Sequence, residues 1–439
     1  MRVETTTLIT PFEMPAITTP NFSQLPVFNI IEYGAEQGDG DLIKKLNNEA
    51  IAKAITVASD IGGGTVLIPE GVWLCGKIHF KSYVNLHLAQ GATLLFSECP
   101  DDYLPAVKTT WEGMECYNYS PLIYGFNCQY VAISGKGKLQ AKLDVWSIWY
   151  ERVKPHMDAL ASLYHMSSKG IPVEERKMVY EGANLRPHFV QFNRCRYVLI
   201  EDITIEDSPF WVLHPFLCND VIIRRVHVKA FGHNNDGVDP EMTQNMLIEE
   251  CIFEQGDDAL AIKSGRNHDA WRLNTPTKNL VMRNCFIKKA HHLAVLGSEL
   301  SGGIENVLIE NCRFDKVTDY EGAGNILFIK TNERRGGVIK NIYMNNIQAA
   351  TIGGSVLSIE TDVLYQWRTL VPTYEKRLTK IQDIYISDVT LDSAYCISHI
   401  EGQPEAPICN VYLKNIKVAN ILNIKVNNTN VSNFNLKKR

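Results

Sequence analysis

One nine-residue pattern recurs seven times in the second half of the chain, and it limits the fold more than any other feature. The copies are DVIIRRVHV from Asp220, NMLIEECIF from Asn245, NLVMRNCFI from Asn279, NVLIENCRF from Asn306, NIYMNNIQA from Asn341, DIYISDVTL from Asp383 and NVYLKNIKV from Asn410. Each has an Asn or Asp anchor followed by alternating apolar residues, the mark of a β-strand with one buried face. From Asp220 to Asn410 the anchors are spaced by 25, 34, 27, 35, 42 and 27 residues. The short spacings fit one turn of a parallel β-helix, and the longer ones fit turns carrying inserted loops. A propeller blade of about 40 to 45 residues fits the short spacings poorly, and nothing in the repeat is helical enough for an α-solenoid. The expected fold is therefore all-β, a right-handed parallel β-helix. Successive strands in such a solenoid lie about 4.8 Å apart, so residues at equal phase become neighbours.

All 439 residues fit one such domain, because a solenoid core grows with length instead of splitting. Residues 1 to about 27 read as an N-terminal extension, and coils are expected over about 65–425. Between them NNEAIAKAITVASDIGGG predicts a helix over 47–61. Asn47 would be its N-cap, Ile51, Ala54, Ile55 and Ala58 its buried stripe, and Gly62 to Gly64 its stop. It is the one convincing helix in the sequence, and it would cap the open edge of the first coil. GTVLIPE, VWLCGKIHF and VNLHLAQGATLLF follow as strands. Of the eleven cysteines, Cys251, Cys285 and Cys312 share one repeat position, which predicts buried, stacked thiols and not a disulfide framework.

A net charge of −5 argues against nucleic acid as partner, because phosphate binding needs a basic surplus. No apolar run reaches the roughly 18 to 20 residues of a membrane span. The first twenty residues lack the basic and apolar regions of a signal peptide. The expectation is a periplasmic or secreted protein whose targeting peptide is absent from this sequence, with a cytoplasmic protein as the alternative.

The stretch NNDGVDPEMTQNMLIEECIFEQGDDALAIKSG places Asp236 one coil before Asp257 and Asp258. Three carboxylates would meet on one face, where mutual repulsion raises the pKa of at least one. Glycoside hydrolysis needs such a set: a protonated acid for the leaving oxygen and an ionised partner for water. His291 follows Asn279 by the interval at which Asp257 follows Asn245, so phase stacks His291 on Asp257 and His292 on Asp258. One coil further, ILFIKTNERRGG supplies Lys330, with Arg334 and Arg335 on the following loop. Those cations, with Lys263, are expected to grip an acidic sugar. Each feature has a plain structural alternative: GDD as a turn former, the His pair as a surface pair, ERRGG as a solvated turn. Their joint occurrence at consistent phase on consecutive coils favours a site.

These segments resemble glycoside hydrolase family 28, the polygalacturonase family, especially its bacterial exo-acting, pectin-degrading members. The resemblance spans roughly residues 28–350 and includes GGGTVLIPEGVWLCGKIHFKSYVNLHLAQGATLLFS, YSPLIYGFNCQYVAISGKG and DSPFWVLHPFLCNDVIIRRV. The family pattern is Asn-x-Asp, Gly-Asp-Asp, Gly-His-Gly and Arg-x-Lys, in that order. It implies Asp257 as general acid, Asp236 with Asp258 as the base that activates water, and His291 as the catalytic-region histidine. Asn234 and Lys330 would bind substrate. Ala290 and His292 replace the glycines around His291, so a one-residue shift to His292 stays open. Phe328 stands where the family has Arg, which brings a rhamnogalacturonan fragment into consideration beside plain homogalacturonan.

The expected activity is inverting hydrolysis of α-linked galacturonic acid in pectin, exo-acting if the loops at 266–276 and 298–303 wall off one end of the groove. No cofactor or metal is called for, and the enzyme is expected to be a monomer whose partner is an acidic pectic saccharide. A pectate-lyase-like β-eliminase and a non-catalytic pectin-binding β-helix are the alternatives.

Overall fold

The structure is a computed structural model that describes residues 1–317, 324–365 and 367–437. Its frame is a parallel β-helix. Twenty strands form one parallel sheet in two runs, which merge at the long strand Ile304–Phe314, where both Thr277–Arg283 and Phe286–Lys289 pair with it. A second face carries four strands from Ile78–His79 to Leu213–Phe216 and six from Leu260–Ile262 to Val426–Thr429. Between these two groups the face is held only by isolated bridges at Val238 and Glu241. The candidate site lies at that interruption.

Strand pairing puts every repeat anchor in register, from Asp220 through Asn245, Asn279, Asn306, Asn341 and Asp383 to Asn410. All seven have φ between 56° and 60°, a left-handed turn that Asn and Asp tolerate better than other side chains. Their amides form a ladder along the solenoid: Asn279 donates to Asn245 at 2.9 Å, Asn306 to Asn279 at 2.9 Å and Asn341 to Asn306 at 2.9 Å. Tyr83, Tyr130 and Tyr197 take the same turn in the first coils, stacked ring on ring. Immediately after the anchors, an inward column of Val221, Met246, Leu280, Val307, Ile342, Ile384 and Val411 is fully buried. The interior is thus a stack of like residues, each worth roughly 1.5–3 kcal/mol of burial.

Cys251, Cys285 and Cys312 stack as buried free thiols, each directed at the carbonyl two residues earlier. Cys128, Cys195 and Cys218 repeat this arrangement in earlier coils.

The capping helix runs over Asp41–Asp60 and starts earlier than expected, after Gly40. Asn47 is not its N-cap. It is buried inside the helix, donates to Leu74 O at 2.9 Å and accepts from Glu36 N–H at 2.9 Å, tying the helix to the coil beneath. The first turn stands clear of the coil, with Leu42 70% exposed, and burial begins at Asn47; the predicted stripe is buried throughout. Residues 1–27 contribute the antiparallel strands Arg2–Thr6 and Ile17–Asn21. Ile17 seals an outer apolar stripe of Ala132, Leu199, Ile222 and Leu247.

A second long helix, Lys154–Ser168, was not legible in the sequence. Val153 caps it without a side-chain hydrogen bond, so Pro155 in the first turn is its one N-terminal signal, although Ala159, Leu160, Leu163 and Tyr164 form a buried stripe. It packs with the hairpin Val107–Asn118 as a wall beside the site. Among the described residues no helix is long and apolar enough to cross a membrane.

Candidate active site

The coil phase brings the predicted carboxylates together. Gly237 N–H bonds Asp258 O at 2.9 Å and Ala259 N–H bonds His292 O at 3.1 Å, so Asp236, Asp258 and His292 form one column. Asp257 and His291 stand beside it, joined by His291 N–H to Asp257 O at 2.8 Å. Gly256 permits this turn, because a Cβ there would lie 2.7 Å from Gly232 O. Asp257 Oδ1 accepts from Asp258 N–H at 3.0 Å, so GDD is both a turn former and part of the cluster.

Each carboxylate has its own cation. His291 Nδ1 lies 3.1 Å from Asp257 Oδ1, Lys330 Nζ 3.5 Å from Asp258 Oδ2 and Lys263 Nζ 3.7 Å from Asp236 Oδ2. Asp257 is the most exposed of the three, with 18% of its side chain accessible against 5% for Asp236 and 2% for Asp258. Burial raises the Asp236 pKa and the Asp257 charge adds to it, pushing it up to about 7. Burial also raises Asp258, against the pull of Lys330. At Asp257 burial is outweighed by the hydrogen bond and charge of His291, which hold its carboxyl well below the usual range. The pKa of His291 rises because its contact with Asp257 outweighs burial. On the acid side of the raised His291 pKa the Asp257–His291 pair therefore holds one proton, on the imidazole side.

His292 differs from its neighbour. Its Nδ1 accepts from Asn325 N–H at 2.9 Å, which places its own proton on Nε2, 4.0 Å from Asp258 Oδ1. Burial, then the Lys330 charge, lowers its pKa to about 3, so it stays neutral. Phe328 packs edge-on against His292, ring centroids 5.2 Å apart, and follows Ala261 and Val295 along an apolar strip of the floor. Ligand atoms of Asp257, Asp258 and His291 lie within 4.8 Å of one another, a spacing that could admit a cation. Lys330 and His291 already supply positive charge there, and the donor set reads as an acid–base group.

Three expected substrate contacts need correction. Arg335 is buried and donates to Ser298 O at 2.5 Å and to Asn267 Oδ1 at 2.8 Å, bracing loops. Arg334 is buried with its guanidinium over the Tyr164 ring. Lys263 is enclosed by Asp236, Asp239, Glu299 and the Trp211 ring, which leaves no face for a sugar. A charged run after a strand reads as exposed by default; here the wall folds over it, Arg335 finds internal acceptors, and Arg334 keeps Nε and Nη1 buried without a hydrogen-bond partner. Arg266 likewise turns inward, to Glu299 at 2.6 Å and Glu112 at 3.1 Å.

Asn234 is half-buried at φ 59°. Arg186 donates through Nη2 to its Oδ1 at 2.9 Å and through Nη1 to Pro209 O at 2.8 Å and His233 O at 2.7 Å. With its oxygen held, the Asn234 amide is left to present N–H. Asn235 fixes the same loop, donating to Ser208 O and Phe210 O and accepting from Gly232 N–H. The sequence reading missed Arg186, Asn235, Asp239, Glu299 and Trp211. Asp239 stands in the NNDGVDPEM stretch and Glu299 in the loop at 298–303, both outside the repeat phase, and Arg186 lies in a region with no repeat at all.

Within the loops expected to form a wall, Arg266 and the helix Asn267–Leu273 lock onto the hairpin, and the segment 298–303 locks onto that helix. Arg266 N–H bonds Gly113 O at 2.9 Å, Glu115 N–H bonds Asp269 Oδ2 at 2.8 Å and Asn267 N–H bonds Ser301 Oγ at 2.8 Å.

Comparison with known proteins points the same way. The profile for Glycosyl hydrolases family 28 matches residues 174–438. A protein of Vitis vinifera named "Probable polygalacturonase" is 26% identical over 402 residues, covering 89% of this chain and 74% of that protein. The exo-poly-alpha-D-galacturonosidase of Dickeya chrysanthemi is 28% identical over 318 residues, or 67% of this chain; the match spans 51% of that longer protein. The crystal structure of a hyperthermoactive exopolygalacturonase from Thermotoga maritima aligns with a TM-score of 0.84 at 34% identity, covering 93% of this chain and 90% of that one.

Proposed function

Since the chain belongs to glycoside hydrolase family 28, we propose that it is an exo-acting hydrolase of α-linked galacturonic acid in pectin, and that it works by inversion. The observation carrying this reading is the column Asp236–Asp258–His292 with the proton-bearing pair Asp257–His291 beside it. Two carboxylates can serve water while a third, with its own proton source, serves the leaving group.

Asp257 delivers the proton to the glycosidic oxygen. In the empty site that proton is drawn toward His291; when a sugar excludes water, the neutral form of the pair gains over the ion pair, and the proton moves onto Asp257. Asp258, with Asp236, takes a proton from the attacking water, and Lys330 steadies the charge on Asp258. The wall of residues 266–273 and 298–303 favours an exo mode by closing the groove on one side. Phe328 puts an apolar ring on the floor beside His292, which suits a neutral sugar next to the cleavage point as well as galacturonate. The periplasm or the cell exterior is where such a polymer would be met.

The test is product analysis on homogalacturonan and rhamnogalacturonan oligomers. Monomeric galacturonate should appear first, with the β-anomer leading in proton NMR and no unsaturated sugar absorbing in the ultraviolet. An unsaturated product would overturn the reading in favour of elimination.

A further inference from the structure

Lys263 stands in the column Glu241–Lys263–Gly297–Lys330, so the site has a lysine on either side of its carboxylates. Only 5% of its side chain is accessible. Its Nζ lies 3.7 Å from Asp236 Oδ2, 3.5 Å from Asp239 Oδ1 and 3.5 Å from Glu299 Oε2, and 4.5 Å above the Trp211 ring. Glu299 is also held by Arg266 at 2.6 Å. Lys263 is left to balance Asp236 and Asp239 together.

Asp239 is fully buried, and neither of its oxygens accepts a hydrogen bond; Asp236 Oδ1 has no donor either. Buried carboxylates without donors are tolerated only when neutralised. One ammonium against two carboxylates leaves a surplus negative charge, and a proton shared between the two acids removes it.

We propose that Lys263 is a positioning residue which, with Asp239, sets how tightly Asp236 holds its proton and thereby sets the acid-side limb of the pH–rate profile. The inference rests on the reading that Asp236 belongs to the base. Burial, then the Asp236 charge, raises Asp239 well above the ordinary range, while Lys263 opposes the rise at both acids. Asp257, Asp258 and Lys330 face Asp236 from the neighbouring coils. Glu299, Glu241, His214 and His188 are the other titratable groups around Lys263. His214 and His188 stay neutral because burial lowers both.

Two substitutions should move the limb in opposite directions. Lys263→Met removes the cation, disfavours ionised Asp236 and shifts the acid limb of kcat/KM to higher pH. A shift of about one unit or more corresponds to a roughly tenfold loss on the acid side. Asp239→Asn removes the competing carboxyl and supplies an amide donor, so the limb should move to lower pH by a similar amount. KM should change little in either, since neither side chain touches the sugar. Carboxyl-carbon NMR titration of Asp236 in both variants should follow the same signs without substrate. Limbs and titrations that stay put, or move the same way in both folded variants, would overturn the inference. If Lys263→Met does not fold, the downward shift in Asp239→Asn decides alone. Hydrolysis abolished in Asp257→Asn, together with an unmoved Asp236 titration, would sink this inference and leave the proposed function standing.

Discussion

Arg186→Lys tests how the loop carrying Asn234 is held. Arg186 is 3% exposed, and its guanidinium lies against the rings of Tyr150 at 4.6 Å and Phe210 at 4.9 Å. It donates to Pro209 O, His233 O and Asn234 Oδ1, all between 2.7 and 2.9 Å. A lysine keeps the charge but has no planar fork, so at that depth it can keep about one of the three bonds. Two charged hydrogen bonds at about 1.5–3 kcal/mol each give an expected loss of about 3–6 kcal/mol. The freed Asn234 amide can then rotate. If Asn234 binds the sugar as proposed, loss of that N–H contact, about 0.5–1.5 kcal/mol, should raise KM roughly two- to tenfold. Urea unfolding followed by fluorescence reads the first effect, and initial rates on a trigalacturonate ladder read the second. A kcat that falls while KM holds would refute the assignment of Asn234 to binding. Unchanged stability would refute the hydrogen-bond reading of Arg186 itself.

Three further outcomes follow from the same geometry. Asp257→Asn should lower turnover by roughly a hundred- to ten-thousand-fold, the usual contribution of a general acid or base, with an unchanged circular dichroism spectrum; full activity would end the assignment. His291 has a raised pKa, so its charged form survives to higher pH than in a free imidazole. Activity should accordingly be retained on the acid side of that pKa and decline as pH rises through it; His291→Asn should displace this basic limb, and a profile unmoved by the change would detach His291 from the proton. EDTA should leave hydrolysis unaffected, because the cluster is neutralised by Lys330, Lys263 and His291; inhibition reversed by calcium would point instead to a metal-dependent reaction.

The sequence was most informative where the solenoid is strictly periodic. Asp258 could be stacked with His292, and Asp257 with His291, because pairing preserves phase from coil to coil whatever the loops between do; Asp236 could be placed only one coil before them, and the structure sets it opposite Asp258. The helix Lys154–Ser168 and the hairpin Val107–Asn118 belong to no coil, and single-chain periodicity contains nothing about where such insertions fold back. That is why Arg334 and Arg335 read as exposed gripping residues while the wall buries them, and why Arg186 carried no signal.

The same distinction explains the chemistry. Like residues stack in the interior because each coil repeats the environment of the one before, and the Asn ladder and the cysteine columns are two results of that repetition. A catalytic set needs the opposite: carboxylates with unequal protonation at nearly the same place. Asp236 and Asp258 occupy equal phase on adjacent coils, so the repeat alone would make them equivalent. What separates them is the different partner that each meets on its own coil or the next. Asp239 and Lys263 surround Asp236, Lys330 faces Asp258, and His291 takes hold of Asp257. The regular ladder gives way to isolated bridges at Val238 and Glu241, the stretch that carries Asp239 beside Asp236. The acids differ because equal phase sets only where a side chain stands, while the residue type on the neighbouring coil sets whether it meets a lysine, a histidine or another carboxylate.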